Sequence, residues 1–154
     1  MNGSPIPPVV KELMLAVDPA RAFRTFTEQV RSWWPVATHS VGGVDGIGLR
    51  LDEDGFVEML ADGTECEWGA VLAWEPPHRL AMTWHPGQPA DPHTRVEVTF
   101  EPVADGTLVR LVHSGWEALA IPDAARVERL EEYRKGWDVV LGGLVALVGR
   151  GGDA

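Results

Sequence analysis

The segment from Trp68 to Trp116, followed by a long helical pattern that ends at Val148, constrains the fold more than any other feature. The segment is a series of strand-like runs joined by turns, with tryptophans at several strand ends. Consecutive strands joined by short turns form an antiparallel sheet, and one face of such a sheet is usually covered. A curved sheet covered by the last helix is the simplest fold with this order of elements, and it places a pocket between the two layers.

Three Asp-Gly pairs separate strand-like runs, and this dipeptide favours the tight turns of β-hairpins. They are Asp54-Gly55, Asp62-Gly63 and Asp105-Gly106. From position 95 to position 100 polar and apolar residues alternate, so one face of this strand is expected to be buried. Arg95, Glu97 and Arg110 would supply polar contacts to the pocket if their face points inward, and the alternation alone leaves both orientations open.

The N-terminal part predicts a strand followed by helix. Val9 to Val17 reads as a strand, and Asp18-Pro19 is a typical helix start, because the Asp carboxylate accepts a free backbone N–H and proline needs no partner there. The helix, alone or with a short second one, ends at Trp34-Pro35. His39 to Gly48 is then a flexible, glycine-rich turn region. It has neither the Lys-Ser/Thr pair of a phosphate loop nor the context of a dinucleotide site, so nucleotide binding is not expected.

The last helix has an apolar stripe that would cover the sheet. Its members recur at spacings of three and four and are Leu130, Tyr133, Trp137, Val140, Leu144 and Leu147. Gly136, Gly142 and Gly143 each cost about 1 kcal/mol relative to alanine inside a helix. We expect these glycines to allow a close approach to the sheet or to leave room beside it.

Length and charge exclude several classes of protein. A chain of 154 residues fits one domain, residues 1–154, with an ordered core over about 8–148. The formal net charge of -10 disfavours nucleic acid and anionic membranes as partners. The longest apolar run, Val139 to Val148, is about half of the roughly 20 residues that a membrane-spanning helix needs. The single cysteine, Cys66, and the lack of a recognisable secretory signal predict a cytoplasmic protein.

Several short motifs occur in a fixed order along the chain. They are Trp74-Glu75-Pro76-Pro77-His78-Arg79-Leu80, Thr83-Trp84, Thr94-Arg95-Val96, Phe100-Glu101-Pro102, Asp105-Gly106-Thr107, His113-Ser114-Gly115 and Gly136-Trp137. As an ordered set they resemble the activator of heat-shock protein 90 ATPase homologue-like family, which belongs to the SRPBCC or START-like helix-grip superfamily. The resemblance covers nearly the whole chain and is densest from Trp74 to Trp116.

The resemblance implies an α+β helix-grip fold of order β-α-α-β-β-β-β-β-β-α. A curved antiparallel sheet wraps around the long C-terminal helix, two short helices follow the first strand, and a cavity lies between sheet and last helix. Functions in the superfamily include lipid transport, polyketide cyclisation and co-chaperone action, so the fold alone names no activity. The family's eukaryotic co-chaperones carry a further N-terminal domain that contacts the chaperone. Because this sequence has no room for it, activation of a chaperone is not the first expectation.

Six residues of the sheet and last helix are the candidate cavity residues. They are Trp68, Trp84, His113, Trp116, Tyr133 and Trp137. Ligand pockets are mainly apolar and aromatic, but bulky aromatics also fill ordinary cores. His113 would orient a ligand or move a proton near neutral pH, or else it is a hydrogen-bonded structural histidine. Ser114 cannot be its catalytic partner, because neighbours on a strand point to opposite faces.

The remaining polar clusters give weaker signals. His85, Asp91 and His93 flank a proline-rich loop and could hold a metal, but their spacing matches no common metal motif. A surface loop at the pocket mouth, acting as a lid, fits this segment better. Cys66 lies between two glutamates, a setting that does not activate a thiol, so we interpret it as a small core residue. The sequence therefore predicts no metal and no cofactor.

Three functions stay open at this point. The first is a binding protein that encloses an apolar or aromatic small molecule between the sheet and the last helix. The second is an enzyme with the same cavity, such as a cyclase or hydrolase, in which His113 is the acid or base. The third is a stress-related protein that acts through a partner such as a chaperone, and a homodimer is compatible with all three.

Overall fold

The computed structural model describes residues 6–88, 93–119 and 121–149. Strand β1 and two helices come first, seven strands follow, and a long helix ends the described chain. The elements are β1 Val9–Leu15, α1 Pro19–Glu28, α2 Val30–Trp33, β2 Gly48–Asp52, β3 Gly55–Met59, β4 Glu65–Gly69, β5 Val71–Glu75, β6 Arg79–Trp84, β7 Thr94–Val103, β8 Gly106–Ser114 and α3 Asp123–Gly149. This arrangement confirms the predicted α+β helix-grip class.

The strands form two antiparallel sheets that meet at a bend. One sheet has the order β1-β8-β7-β6-β5 and the other the order β2-β3-β4. Only Ala70 separates β4 from β5, so this extended segment passes from one sheet to the other. At the bend a Cβ on Gly69 would lie 1.9 Å from the carbonyl oxygen of Thr83, so only glycine fits this crossing. This bend divides one extended segment into the two strands β4 and β5. Seven strands therefore follow the helices, whereas the family resemblance implied six.

Local sequence signals set the predicted turns and helix ends. All three Asp-Gly pairs lie at hairpins, between β2 and β3, β3 and β4, and β7 and β8. The Asp18 carboxylate accepts the backbone N–H of Arg21 at 2.8 Å, as expected for the residue that caps α1. A short second helix is present, and Trp34 leaves the helical conformation as predicted from the proline that follows it.

The orientation of β7 and β8 settles which polar residues face inward. Val96, Val98 and Phe100 are buried, whereas Arg95 and Arg110 are exposed on the outer face of the sheet. The outer face also holds Glu97, which pairs there with Arg79. These charged residues therefore make no contribution to the cavity.

Helix α3 covers the inner face of the sheet with the predicted stripe. Its buried residues are Leu130, Trp137, Val140, Leu141 and Leu144, and Tyr133 and Leu147 are partly buried. A Cβ on Gly143 would lie 2.1 Å from the carbonyl oxygen of Trp33, so this glycine permits close contact with α2. The prediction that Gly143 allows a close approach of the helix to the sheet is wrong, because the close contact is with α2. No helix within the described part of the chain has the length and apolarity needed to cross a bilayer.

Candidate ligand-binding site

A partly enclosed cavity of about 260 Å³ lies between α3, the inner face of the strands and the loop after α2. Its walls are aromatic and aliphatic and consist of Trp34, Trp68, Trp84, Tyr133, Trp137 and Val140. The rim is formed by Thr38, His39, Ser40, Val41, Pro86 and Gly136. A second depression shares part of this rim and leads outward past Arg129 and Glu132, so the cavity opens to solvent beside α3.

The four wall tryptophans present ring surface rather than N–H groups to the cavity. Each indole N–H already donates a hydrogen bond within the protein. The acceptors are the His39 carbonyl for Trp34 (2.7 Å), Glu58 for Trp68 (3.2 Å), the Tyr133 hydroxyl for Trp84 (3.1 Å) and His113 Nδ1 for Trp137 (3.0 Å). Because these polar atoms have partners, the walls offer a ligand mainly apolar contact.

Ring-to-ring contacts hold the walls in place. Trp34 packs against Trp68 and Trp137 with ring centroids 5.3 and 5.8 Å apart. Trp84 lies 5.2 Å from Trp137 and 5.9 Å from Trp68. These distances are typical of tilted and edge-to-face aromatic pairs, which favour fixed ring orientations. The cavity is therefore pre-formed by rings that support one another.

Four of the six candidate residues line this cavity, and two lie behind it. Trp68, Trp84, Tyr133 and Trp137 contribute wall surface. His113 and Trp116 are fully buried on the inner side of β8 and at the turn that follows it. The rings of His113 and Trp116 lie 4.2 Å apart, which gives the cavity wall a second layer.

The hydrogen bonds of His113 define its tautomer. Nδ1 accepts the indole N–H of Trp137 at 3.0 Å, so this nitrogen carries no hydrogen. Nε2 must therefore carry the hydrogen, and it lies 2.7 Å from the Thr94 hydroxyl. Thr94 in turn donates to the carbonyl oxygen of Trp84 at 3.2 Å. Burial lowers the pKa of His113 to about 3, so the ring is neutral and fully paired at physiological pH.

Glu58 is a site residue that the sequence did not indicate. Its side chain is fully buried on β3, and both carboxylate oxygens accept N–H groups. The donors are the backbone N–H groups of Val41 and Gly42, each at 2.9 Å, and the indole of Trp68 at 3.2 Å. The only available sequence signal was the two-residue alternation of a strand, which places Glu58 on the same inward face of β3 as Phe56.

The glycine-rich loop wraps around the Glu58 carboxylate. A Cβ on Gly42 would lie 2.9 Å from Glu58 Oε2, and a Cβ on Gly46 would lie 2.8 Å from the same atom. Ser40 adds a link within the loop, because its hydroxyl accepts the N–H of Gly43 at 2.9 Å. The region predicted as a flexible turn is thus held by specific bonds, and it forms one side of the cavity rim.

The residues that flank the proline-rich loop, weighed above as metal ligands, form no metal-ligand group in the described part of the chain. Asp91 lies outside the described residues. His85 lies 3.5 Å from a carboxylate oxygen of Glu67, and His93 Nδ1 lies 2.9 Å from the carbonyl oxygen of Thr94. Across residues 6–88, 93–119 and 121–149, no three His, Cys, Asp or Glu side chains are grouped as metal ligands.

A cavity between a curved antiparallel sheet and a long C-terminal helix is characteristic of the helix-grip class of proteins. Residues 16–149 match the model of the family described as activator of Hsp90 ATPase homolog 1-like protein. The chain belongs to this family. Its membership confirms the resemblance that the ordered motifs indicated.

Solved structures support the same fold. Protein MLL2253 from Mesorhizobium loti is 22% identical, with a TM-score of 0.66 over 93% of this chain and 97% of its own. The Aha1 dimer from Colwellia psychrerythraea is 17% identical, with a TM-score of 0.64 over 93% and 96%. CalU16 from Micromonospora echinospora is 20% identical, with a TM-score of 0.59 over 90% and 74%. At these identities the likeness shows the fold alone. A search of curated proteins gave no match.

Proposed function

We propose that this protein binds a small aromatic molecule in the cavity between the sheet and α3. The observation that carries the proposal is a wall of four tryptophans whose N–H groups are all paired within the protein. Such a wall gives stacking and edge contacts to a flat apolar ligand and offers little to a strongly hydrated one. The Glu58 carboxylate keeps the rim loop and Trp68 in position for this contact.

The cavity volume favours a compact ligand. A dry cavity of roughly 150 Å³ accommodates benzene, and sites for drug-sized ligands span roughly 300 to 1,000 Å³. The present volume of about 260 Å³ lies between these limits. A ligand of one or two fused rings fits this space, with any further substituent directed along the outward depression.

Binding is favoured over turnover by the state of His113. The imidazole is buried, neutral and paired at both nitrogens, so it has no lone pair or proton to exchange with a molecule in the cavity. A general acid or base must be within hydrogen-bonding reach of the reacting group. The proposal therefore assigns His113 to the support of Trp137 rather than to catalysis.

A thermal-shift screen of aromatic and apolar metabolites tests the proposal. A ligand at about 100 times its Kd stabilises the protein by roughly 2.7 kcal/mol, which at this chain length raises Tm by several degrees. We expect hits among compact aromatic compounds and no response to sugars or nucleotides. A panel of one- and two-ring aromatics without a single shift would contradict the proposal.

A second candidate is association with another protein. The family is described as Hsp90 ATPase activator-like, and the Colwellia psychrerythraea relative is described as a dimer. Light scattering during size-exclusion chromatography tests homodimer formation, and an Hsp90 ATPase assay with added protein tests a chaperone role. A monomer with no effect on the ATPase rate would remove this candidate. A cytoplasmic location stays a sequence prediction based on the lone Cys66.

A further inference from the structure

The Tyr133 hydroxyl accepts a hydrogen bond within the protein but has no acceptor for its own hydrogen among the described residues. Its oxygen accepts the indole N–H of Trp84 at 3.1 Å. Among the described residues, none accepts the hydrogen of this hydroxyl. Tyr133 and Trp84 both line the cavity, and Tyr133 also lines the outward depression. The unused hydrogen therefore belongs to a group at the junction of the cavity and its exit.

Tyr133 differs in this respect from the other hydroxyl groups and the indole groups of the cavity. The wall indoles already donate to protein atoms, as described above. On the rim, the Ser40 hydroxyl donates to the carbonyl oxygen of Val36 at 2.5 Å, and the Thr38 hydroxyl lies 2.7 Å from His39 Nδ1. Burial raises the pKa of Tyr133, which keeps its hydroxyl protonated at neutral pH. Tyr133 is thus a standing hydrogen-bond donor.

We propose that Tyr133 donates a hydrogen bond to the ligand, and that the ligand is a compact aromatic molecule bearing a neutral acceptor oxygen such as an aryl ketone or quinone carbonyl. This inference rests on the proposed binding function and adds the chemical class of the ligand. Because the hydroxyl already accepts from Trp84, it complements an acceptor on the ligand rather than a donor.

The surrounding charges favour a neutral acceptor over a carboxylate. Among the described residues, none with a cationic side chain lines the cavity wall, and the outward depression is lined by one cation, Arg129, and one anion, Glu132. An ionised carboxylate would leave water without a compensating charge, which is costly. A carbonyl oxygen loses less hydration and regains one hydrogen bond from Tyr133.

The chain's single tyrosine allows a direct test. Protein labelled with ¹³C at the tyrosine Cζ gives one signal, which reports on the Tyr133 hydroxyl alone. The probes are 2-acetylnaphthalene and 2-ethylnaphthalene, which share the same rings and differ in the carbonyl group. We expect the ketone to shift the Cζ signal beyond the shift caused by the hydrocarbon. Equal shifts from the two bound probes would overturn the inference.

A Tyr133→Phe variant provides an affinity test with the same probes. We expect the ketone to lose about 2- to 12-fold in affinity, the range of one net hydrogen bond, while hydrocarbon affinity stays within about 2-fold. The variant also frees the Trp84 N–H, which can then donate to the ketone and hide the loss. If the ketone loses no affinity, the Cζ shift in the unmodified protein therefore decides the outcome.

The two probes separate this inference from the proposed function. If both probes bind and the ketone shifts the Cζ signal no more than the hydrocarbon does, the preference for an acceptor oxygen is refuted. The proposed binding in the cavity then still stands. Failure of both probes to bind would refute the acceptor inference together with the aromatic ligand on which it rests. Binding of both with a ketone-specific Cζ shift supports the two proposals together.

Discussion

Replacement of Glu58 by glutamine tests whether this carboxylate holds the cavity rim. The carboxylate offers acceptor oxygens to three N–H donors, from Val41, Gly42 and Trp68. Glutamine has one acceptor oxygen, and its NH₂ group would face a donor. In the best orientation the amide oxygen still accepts the N–H groups of Val41 and Trp68, and the N–H of Gly42 loses its acceptor. The Glu58→Gln variant should therefore fold with a loosened rim loop.

The cost follows from the bonds that change. A buried donor left without an acceptor costs about 1–3 kcal/mol, and the two remaining bonds lose charge assistance. Removing a buried charge offsets part of this loss, because the carboxylate no longer has to be desolvated. We expect a net decrease of about 2 kcal/mol in the free energy of unfolding. At this chain length that lowers Tm by about 4–8 °C.

Urea denaturation measures the loss of stability, and amide hydrogen exchange measures the loosening of the rim loop. We expect a lower unfolding midpoint and faster exchange at Val41 and Gly42, whose N–H groups contact the carboxylate. Glu101→Gln is the matched control, because Glu101 is exposed on β7 and the same chemical change there should stay within about 0.5 kcal/mol. Glu58→Gln with the stability of the control and unchanged exchange would refute the assigned role.

Further predictions concern α3 and the buried histidine. Gly142→Ala should stabilise the protein by about 1 kcal/mol, since among the described residues no atom outside the adjoining turns of α3 lies within 4 Å of the added Cβ. Gly143→Ala should destabilise it by about 2 kcal/mol in urea denaturation, since the added Cβ overlaps the Trp33 carbonyl oxygen. The pKa of His113 is about 3 in the folded protein and about 6.5 in the unfolded chain. As the pH falls, the unfolded chain therefore takes up this proton at a higher pH than the folded protein does. Stability should be full above pH 6.5 and fall toward pH 3 by up to about 1.4 kcal/mol per pH unit, a loss that His113→Gln removes.

The fold was largely predictable because its signals are local. Asp-Gly pairs fix hairpin turns within a few residues, and the alternation from position 95 to 100 fixes which side chains share a face. Asp18 and the proline after Trp34 mark helix ends in the same way. The direction of the buried face was not predictable, since alternation is symmetrical until the covering helix is placed.

The cavity was predictable only in part. Tryptophans at strand ends and on the last helix indicated an aromatic wall, but not the depth of each ring, so His113 and Trp116 could not be separated from the lining residues. Glu58 and the rim loop meet across 16 or 17 positions of sequence, a contact that no local pattern encodes. The approach of Gly143 to α2 is likewise a tertiary contact between distant segments.

Two variants of α3 allow the most direct test of ligand binding in the cavity. A Cβ on Gly136 would lie 3.8 Å from His39 Cδ2, an ordinary contact, and Gly136 lines the cavity, so we expect a leucine there to occupy cavity space beside Tyr133. Gly142→Leu adds the same side chain to an exposed position of the same helix. In calorimetric titrations with 2-ethylnaphthalene, we predict equal binding to the unmodified protein and Gly142→Leu, and at least tenfold weaker binding to Gly136→Leu. Equal affinity for all three proteins would place the ligand elsewhere and contradict the account.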